Sequence, residues 1–280
     1  MKRVLFSALC GLLLAGPAIA QSAGEPQAGQ ADEHLEAMVR EHAGDTPVAA
    51  AAAGTPAAGV STETVQFGSG DGYLARPAGT PRAGLIVIHE WWGLNDNIRE
   101  MARRLAAEGY LALAVDLYRG EVAENSGEAR ALMQALMEDE SYAGLQLGAA
   151  FGWLKNEGAV EQVGSIGWCL GGGLALRLAL DMPEALDAVV VYYGRLVTDP
   201  AELAPLRAPL LGIFGGQDQG IPLATVREFE TRLEALGKEA EIVVYEEAGH
   251  AFANPSGTRY QPDAAADAWR RTLAFLDEQL

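Results

Sequence analysis

Cysteine, histidine and positive charge are all scarce in this chain. Its 280 residues hold two Cys and four His, and 20 Lys plus Arg stand against 38 Asp plus Glu, for a formal net charge of −18. Two cysteines cannot staple a fold of this length, so burial must hold it. Apolar residues make up 49% of the chain, enough for the core of one large α/β domain. The shortage of basic residues argues against nucleic acid or an anionic membrane as a partner, and a solvated acidic surface accounts for the imbalance. No apolar run reaches the roughly 18 residues that span a bilayer. There is no G-x-G-x-x-G after the first predicted strand and no Walker A loop, which leaves nucleotide binding without support.

What the N-terminus does contain is an address. "MKRVLFSALCGLLLAGPAIA" has Lys2 and Arg3 as a positive start, a short apolar stretch from Val4 to Ala15, and the small-x-small triplet Ala18-Ile19-Ala20. The pattern predicts a signal peptide over 1–20, cleaved after Ala20, with export to a periplasm or beyond and no stable membrane insertion. Cleavage would remove Cys10 and leave Cys169 as the only thiol, unable to form an internal disulfide. It would also take two positive charges, giving −18 − 2 = −20. In an oxidising compartment a lone thiol is a liability unless it is buried or used. Residues 21–60 are rich in Ala, Gly, Pro and Glu and read as a low-complexity arm or linker. Within the arm, His34, Met38 and His42 fall at i, i+4 and i+8 of a possible short helix. That face could bind a soft metal; a short helix docked loosely on the domain is the alternative.

From residue 61 to 280 the pattern becomes regular. "ETVQFGSGDGYLARP" predicts two short strands joined by a Gly-Asp-Gly turn. After it, apolar runs such as "GLIVI", "LALAV", "VGSIGW", "AVVVY" and "LLGIFG" alternate with stretches of helical period. Asn95 or Asp96 offers an N-cap and Gly109 a stop for the first helix. The alternation predicts an α/β fold, a mostly parallel sheet with helices on both faces.

Cys169 lies in "SIGWCLGGG", between a predicted strand and a predicted helix, in the frame G-x-C-x-G with Gly167 and Gly171. A tight strand–turn–helix leaves no room for side chains beside the central residue, and it lifts that residue toward the crevice at the strand ends. A small buried Cys before a helix cap is the plainer reading. Asp218, in "GGQDQGIP", and His250, in "EEAGHAFANP", each follow an apolar run. Cys169, Asp218 and His250 thus come in the order nucleophile, acid, histidine, as in the α/β-hydrolase triad. The backbone N–H groups of Trp91 and Leu170 are the expected oxyanion donors. Glu90, next to His89 after "GLIVI", would oppose a thiolate while charged; a structural acceptor for loop N–H groups is the alternative.

Taken together, "HEWWGL", "DLY" followed by Arg119, "GWCLGGG", "GGQDQGIP" and "AGHAFANP" resemble the dienelactone hydrolase (carboxymethylenebutenolidase) family over Thr62 to Leu280. The resemblance implies an α/β-hydrolase fold and a Cys-His-Asp triad that opens an enol-lactone ring. It implies that Glu90 holds the resting thiol and is displaced by substrate, and that Arg119 engages a substrate carboxylate. The chain departs from the family at Asn254, where a second arginine is usual; Arg259 in the following loop is a candidate replacement. Trp92 and Asn254 are expected to line the substrate pocket beside Arg119. The expectation is a monomeric, exported hydrolase of a small-molecule ester or lactone, needing neither cofactor nor metal. A ligand-binding or thiol-sensing protein that kept the fold and lost turnover is the alternative.

Overall fold

The fold was analysed on a computed structural model. It describes residues 59–280 together with Glu36, Val39, Arg40, His42 and Pro47; the predicted signal peptide, most of the predicted arm, His34 and Met38 lie outside the described residues. Eight strands form one sheet: β1 (Ser61–Phe67), β2 (Gly70–Arg76), β3 (Gly84–Ile88), β4 (Leu111–Val115), β5 (Val163–Trp168), β6 (Ala188–Tyr192), β7 (Leu210–Gly215) and β8 (Ala240–Tyr245). Their spatial order is β1-β2-β4-β3-β5-β6-β7-β8. The first two strands pair antiparallel with each other and with β4; every pairing from β4 to β8 is parallel.

The five strands from β3 to β7 are buried at every residue, as continuous apolar runs require of a sheet covered on both faces. Side chains alternate between two cores. Leu85 and Val87 of β3 join one, and Ile86 and Ile88 the other. Helices α1 (Asp96–Ala107) and α7 (Pro262–Gln279) cover the first core through Ile98, Met101, Leu105 and Leu276. The second core is covered by α3 (Glu140–Asn156), α4 (Leu170–Asp181) and α6 (Leu223–Ala235), through Leu147, Leu154, Leu176 and Phe229. α2 (Ser126–Glu138) contributes Met133 to the first core and Leu136 to the second, and the single-turn α5 (Pro200–Leu203) carries no clear sequence period.

Asn95 caps α1, its side chain accepting from the Ile98 N–H at 3.2 Å, and Gly109 follows the helix at φ 99°. The hairpin differs from the sequence reading. Phe67 pairs with Gly70, so the turn is Gly68-Ser69, with Gly68 at φ 57°, and Asp71-Gly72 belongs to β2. Gly72 sits in the strand because a Cβ there would meet the Phe67 ring and a Leu113 methyl, each at 2.8 Å. No helix among the described residues is long and apolar enough to cross a membrane.

Candidate active site

The turn between β5 and α4 carries Cys169 at φ 53°, ψ −117°, a conformation that costs a residue with a side chain on the order of 1–3 kcal/mol. The surrounding packing imposes it. A Cβ on Gly167 would lie 2.1 Å from the Gly171 carbonyl oxygen, and one on Gly171 would lie 2.3 Å from the Ile88 carbonyl oxygen. The Cys169 N–H is bonded to the Tyr192 carbonyl at 3.0 Å, which ties the turn to the end of β6. Leu170 is the first helical residue of α4, so its N–H has no acceptor within the helix.

Asp218 and His250 are supplied by neighbouring loops after β7 and β8. The loops are joined closely: Gly216 N–H donates to the Tyr245 carbonyl and Gln217 N–H to the Ala248 carbonyl, both at 2.8 Å. Gly215 permits this approach, since a Cβ there would meet the Ala248 carbonyl oxygen at 2.4 Å. His250 Nδ1 lies 2.8 Å from Asp218 Oδ2, and the other carboxylate oxygen accepts from the Ile221 N–H at 2.8 Å. On its other side His250 meets the Cys169 sulfur: a ring nitrogen and the sulfur are within 4.8 Å. Cys169, Asp218 and His250 are all buried. Burial alone would push the imidazole toward its neutral form. The Asp218 carboxylate and the Cys169 sulfur outweigh that and hold the His250 pKa well above the ordinary histidine value.

The loop after β3 is set by His89. The Leu117 N–H donates to its Nε2 at 3.2 Å, so Nδ1 carries the proton and donates to the Glu90 carbonyl at 2.6 Å. Burial lowers the His89 pKa, keeping this clamp neutral. Glu90 is buried too, and desolvation raises its carboxyl to about 7; the charge of His250 and the Asn254 amide act the other way.

Asn254 and Arg119 both have partners within the chain. Asn254 Nδ2 donates to the Glu90 carboxylate, and its Oδ1 accepts from Ser256 N–H at 2.8 Å and Ser256 Oγ at 2.6 Å. A buried amide so engaged holds Glu90 and the loop after β8. The Glu90 carboxylate is held by Asn254, and the Cys169 sulfur interacts with His250. Arg119, at φ 55°, is exposed. Its guanidinium is 3.3 Å from Asp139 Oδ2 and stacks 4.0 Å from the centre of the Tyr142 ring, turned to the surface. Trp92 does line a crevice with His42, Pro47, Asn254 and Arg259.

Sequence reasoning missed three contributors. Tyr118 and Tyr193 are buried, and burial raises both phenols, with the Cys169 charge adding to the effect. Tyr193, at φ 37°, packs its ring 5.2 Å from that of His250. A second consecutive Tyr at the end of "VVVYYG" was the available signal. The third is His42. It is 2% exposed, with its ring 4.6 Å from Trp91 and perpendicular to His250 at 5.4 Å. Arg259 joins the two loops, its Nε donating to the His250 carbonyl at 3.0 Å and its Nη2 lying 2.6 Å from His42 Nδ1.

The site is a strained thiol at the β5–α4 turn, an imidazole from the loop after β8 and a carboxylate from the loop after β7. The dienelactone hydrolase family model matches residues 71–280. The chain belongs to that family. A relative from Saccharolobus solfataricus, provisionally named a carboxymethylenebutenolidase, is 34% identical over 73% of this chain and 92% of its own. A Klebsiella pneumoniae structure, provisionally named a dienelactone hydrolase, is 31% identical and superposes with a TM-score of 0.69, covering 78% of this chain and 99% of that one. The dienelactone hydrolase structure from Anabaena variabilis, 24% identical with a TM-score of 0.61, shares the fold over 79% of this chain and 98% of its own. The family makes the chain a hydrolase with a small-molecule substrate, and its eight-stranded sheet is the α/β-hydrolase fold.

Proposed function

We infer that this protein hydrolyses a lactone or an activated carboxylic ester through a thioester on Cys169. The observation that carries this reading is the buried series Asp218–His250–Cys169, with 2.8 Å between carboxylate and imidazole and a ring nitrogen within 4.8 Å of the sulfur. His250, kept protonated by Asp218 and the sulfur, balances a Cys169 thiolate. The thiolate attacks the carbonyl carbon. The oxygen takes up the negative charge between the N–H groups of Leu170 and Trp91. As the carbonyl reforms, the C–O bond to the leaving group breaks and His250 returns its proton to that oxygen. Water, deprotonated by His250, then cleaves the thioester and releases the acid.

A thiolate leaves a tetrahedral intermediate more readily than an amine does, so amides are poor substrates. A ring-opened enolate or an aryloxide leaves well, which ranks lactones and activated esters first. Names of relatives support the lactone: the Saccharolobus solfataricus protein is named for a butenolide. The N-terminal sequence supports export, with the domain beginning near residue 61 after the arm.

The test is hydrolysis of a panel of lactones and aryl esters by wild type and Cys169→Ala. The expected loss of kcat in the variant is on the order of 10⁴-fold or more, the scale of losing a triad nucleophile. Equal turnover by the two proteins would end the thioester reading. Binding without turnover by wild type would return the protein to a ligand-binding role.

A further inference from the structure

Catalysis accounts for Cys169, Asp218 and His250 and leaves His42 unexplained. A donor atom of His42, the sulfur of Cys169 and a ring nitrogen of His250 all lie within 4.8 Å of one another. All three residues are buried, at 2%, 3% and 1% exposure. No other cluster of three or more His, Cys, Asp or Glu with ligand atoms placed for a metal is found among the described residues. His42 is no chance neighbour at the end of a loose chain. Glu36 is 2.5 Å from Arg130 on α2, Val39 packs on the first core, and Arg259 holds His42 Nδ1 at 2.6 Å.

We propose that His42, Cys169 and His250 form a binding site for a zinc-like cation, and that its occupation silences the hydrolase. One thiolate, two imidazoles and a fourth position for water are a donor set that Zn²⁺ takes in a tetrahedron. Zn–S of about 2.3 Å and Zn–N of about 2.0 Å set neighbouring donors about 3.4–3.6 Å apart. Donors within 4.8 Å of one another therefore need to close by at most about 1.4 Å, which side-chain rotation supplies. His250 is already prepared as a ligand. Its Nδ1 faces Asp218 at 2.8 Å, so the other nitrogen is the one presented, and a carboxylate behind a ligating imidazole fixes its orientation and raises its basicity.

His42 sets the condition. A guanidinium only donates, so the Arg259 contact takes the Nδ1 lone pair and places the proton of neutral His42 on Nε2. A cation needs one of those nitrogens bare. It either displaces Arg259 from Nδ1, or binds Nε2 after the proton moves to Nδ1, where Arg259 no longer fits. The metal-free state is thus the Arg259–His42 pair, and the cation competes with Arg259. Binding exchanges one proton only: the Cys169 thiolate gains an S–Zn bond, the His250 imidazolium gives up its proton to solvent, and nothing is oxidised. The bound sulfur has no lone pair aimed at a carbonyl, and His250 can neither accept nor return a proton. The bound sulfur is also shielded from oxidants, which suits a chain with one other cysteine, inside the predicted signal peptide.

The site rests on geometry alone; only the silencing rests on the catalytic reading above. The experiment uses the full chain, stripped with a chelator and then equilibrated with Zn²⁺ alone. Wild type is expected to bind one Zn²⁺ per chain. His42→Ala and His42→Gln are expected to bind at least about tenfold more weakly, as befits loss of a direct ligand. Folding of both variants is checked by circular dichroism. Co²⁺ in place of Zn²⁺ is expected to give a thiolate charge-transfer band in wild type, and Zn²⁺ to slow alkylation of Cys169. Wild type without stoichiometric zinc, or a folded His42→Ala that binds as tightly, would overturn the site. Zinc bound with these signatures by a chain that hydrolyses nothing when stripped would support the site and remove the catalytic reading instead.

Discussion

Glu90 is a carboxyl that the fold brings to the edge of ionisation at neutral pH. Burial raises its pKa from an ordinary 4.5 to about 7. The native state therefore binds more protons than the unfolded chain between those values, and stability present below pH 4.5 is lost as pH rises through about 7. The whole swing is on the order of 3 kcal/mol. Glu90→Gln keeps an acceptor for Asn254 and has no charge to desolvate. Urea unfolding is expected to show the variant gaining up to about 3 kcal/mol on wild type between pH 4.5 and 8. A difference that does not change with pH would show that Glu90 stays ionised. At this scale the sequence was informative where backbone chemistry decides. Gly167 and Gly171 announced the turn, and the chain order of Cys169, Asp218 and His250 announced the triad. It was uninformative where a side chain chooses among partners. Nothing local told Arg119 to face Asp139, or Asn254 to spend its amide on Glu90 and Ser256.

Elements place these residues with little freedom. β3, β5, β6, β7 and β8 are parallel neighbours, so their C-terminal ends share one edge, and the loops bearing Glu90, Cys169, Tyr193, Asp218 and His250 converge there. The buried runs and helical periods made that order of elements readable. The hairpin turn was misplaced by two residues because two glycine-rich candidates, Gly68-Ser69 and Gly70-Asp71-Gly72, stand side by side. Register decided between them: with Phe67 opposite Gly70, Leu74 enters the second core and Ala75 the first. α5 escaped notice because one turn has no period to detect.

At the scale of the molecule, the site joins residues far apart in the chain. His42 reaches His250 across 250 − 42 = 208 positions, a contact no local pattern announces. The arm was legible as low complexity and its histidines as a possible metal face; that one of them enters the catalytic crevice was not. The N-terminal signal predicts where the molecule goes. Expression of the full chain in a bacterial host, followed by fractionation and N-terminal sequencing, is expected to recover a periplasmic protein beginning at Gln21. A cytoplasmic protein that keeps its first residues would contradict export. The central claim is that Cys169 is the nucleophile, and the most direct measurement is the intact mass of the chain quenched early in turnover of an aryl ester. The account predicts a mass increase equal to the acyl group, mapped to the peptide containing Cys169, chased away by time and absent in Cys169→Ala. Full turnover with no adduct in wild type, or an adduct that persists in Cys169→Ala, would contradict it.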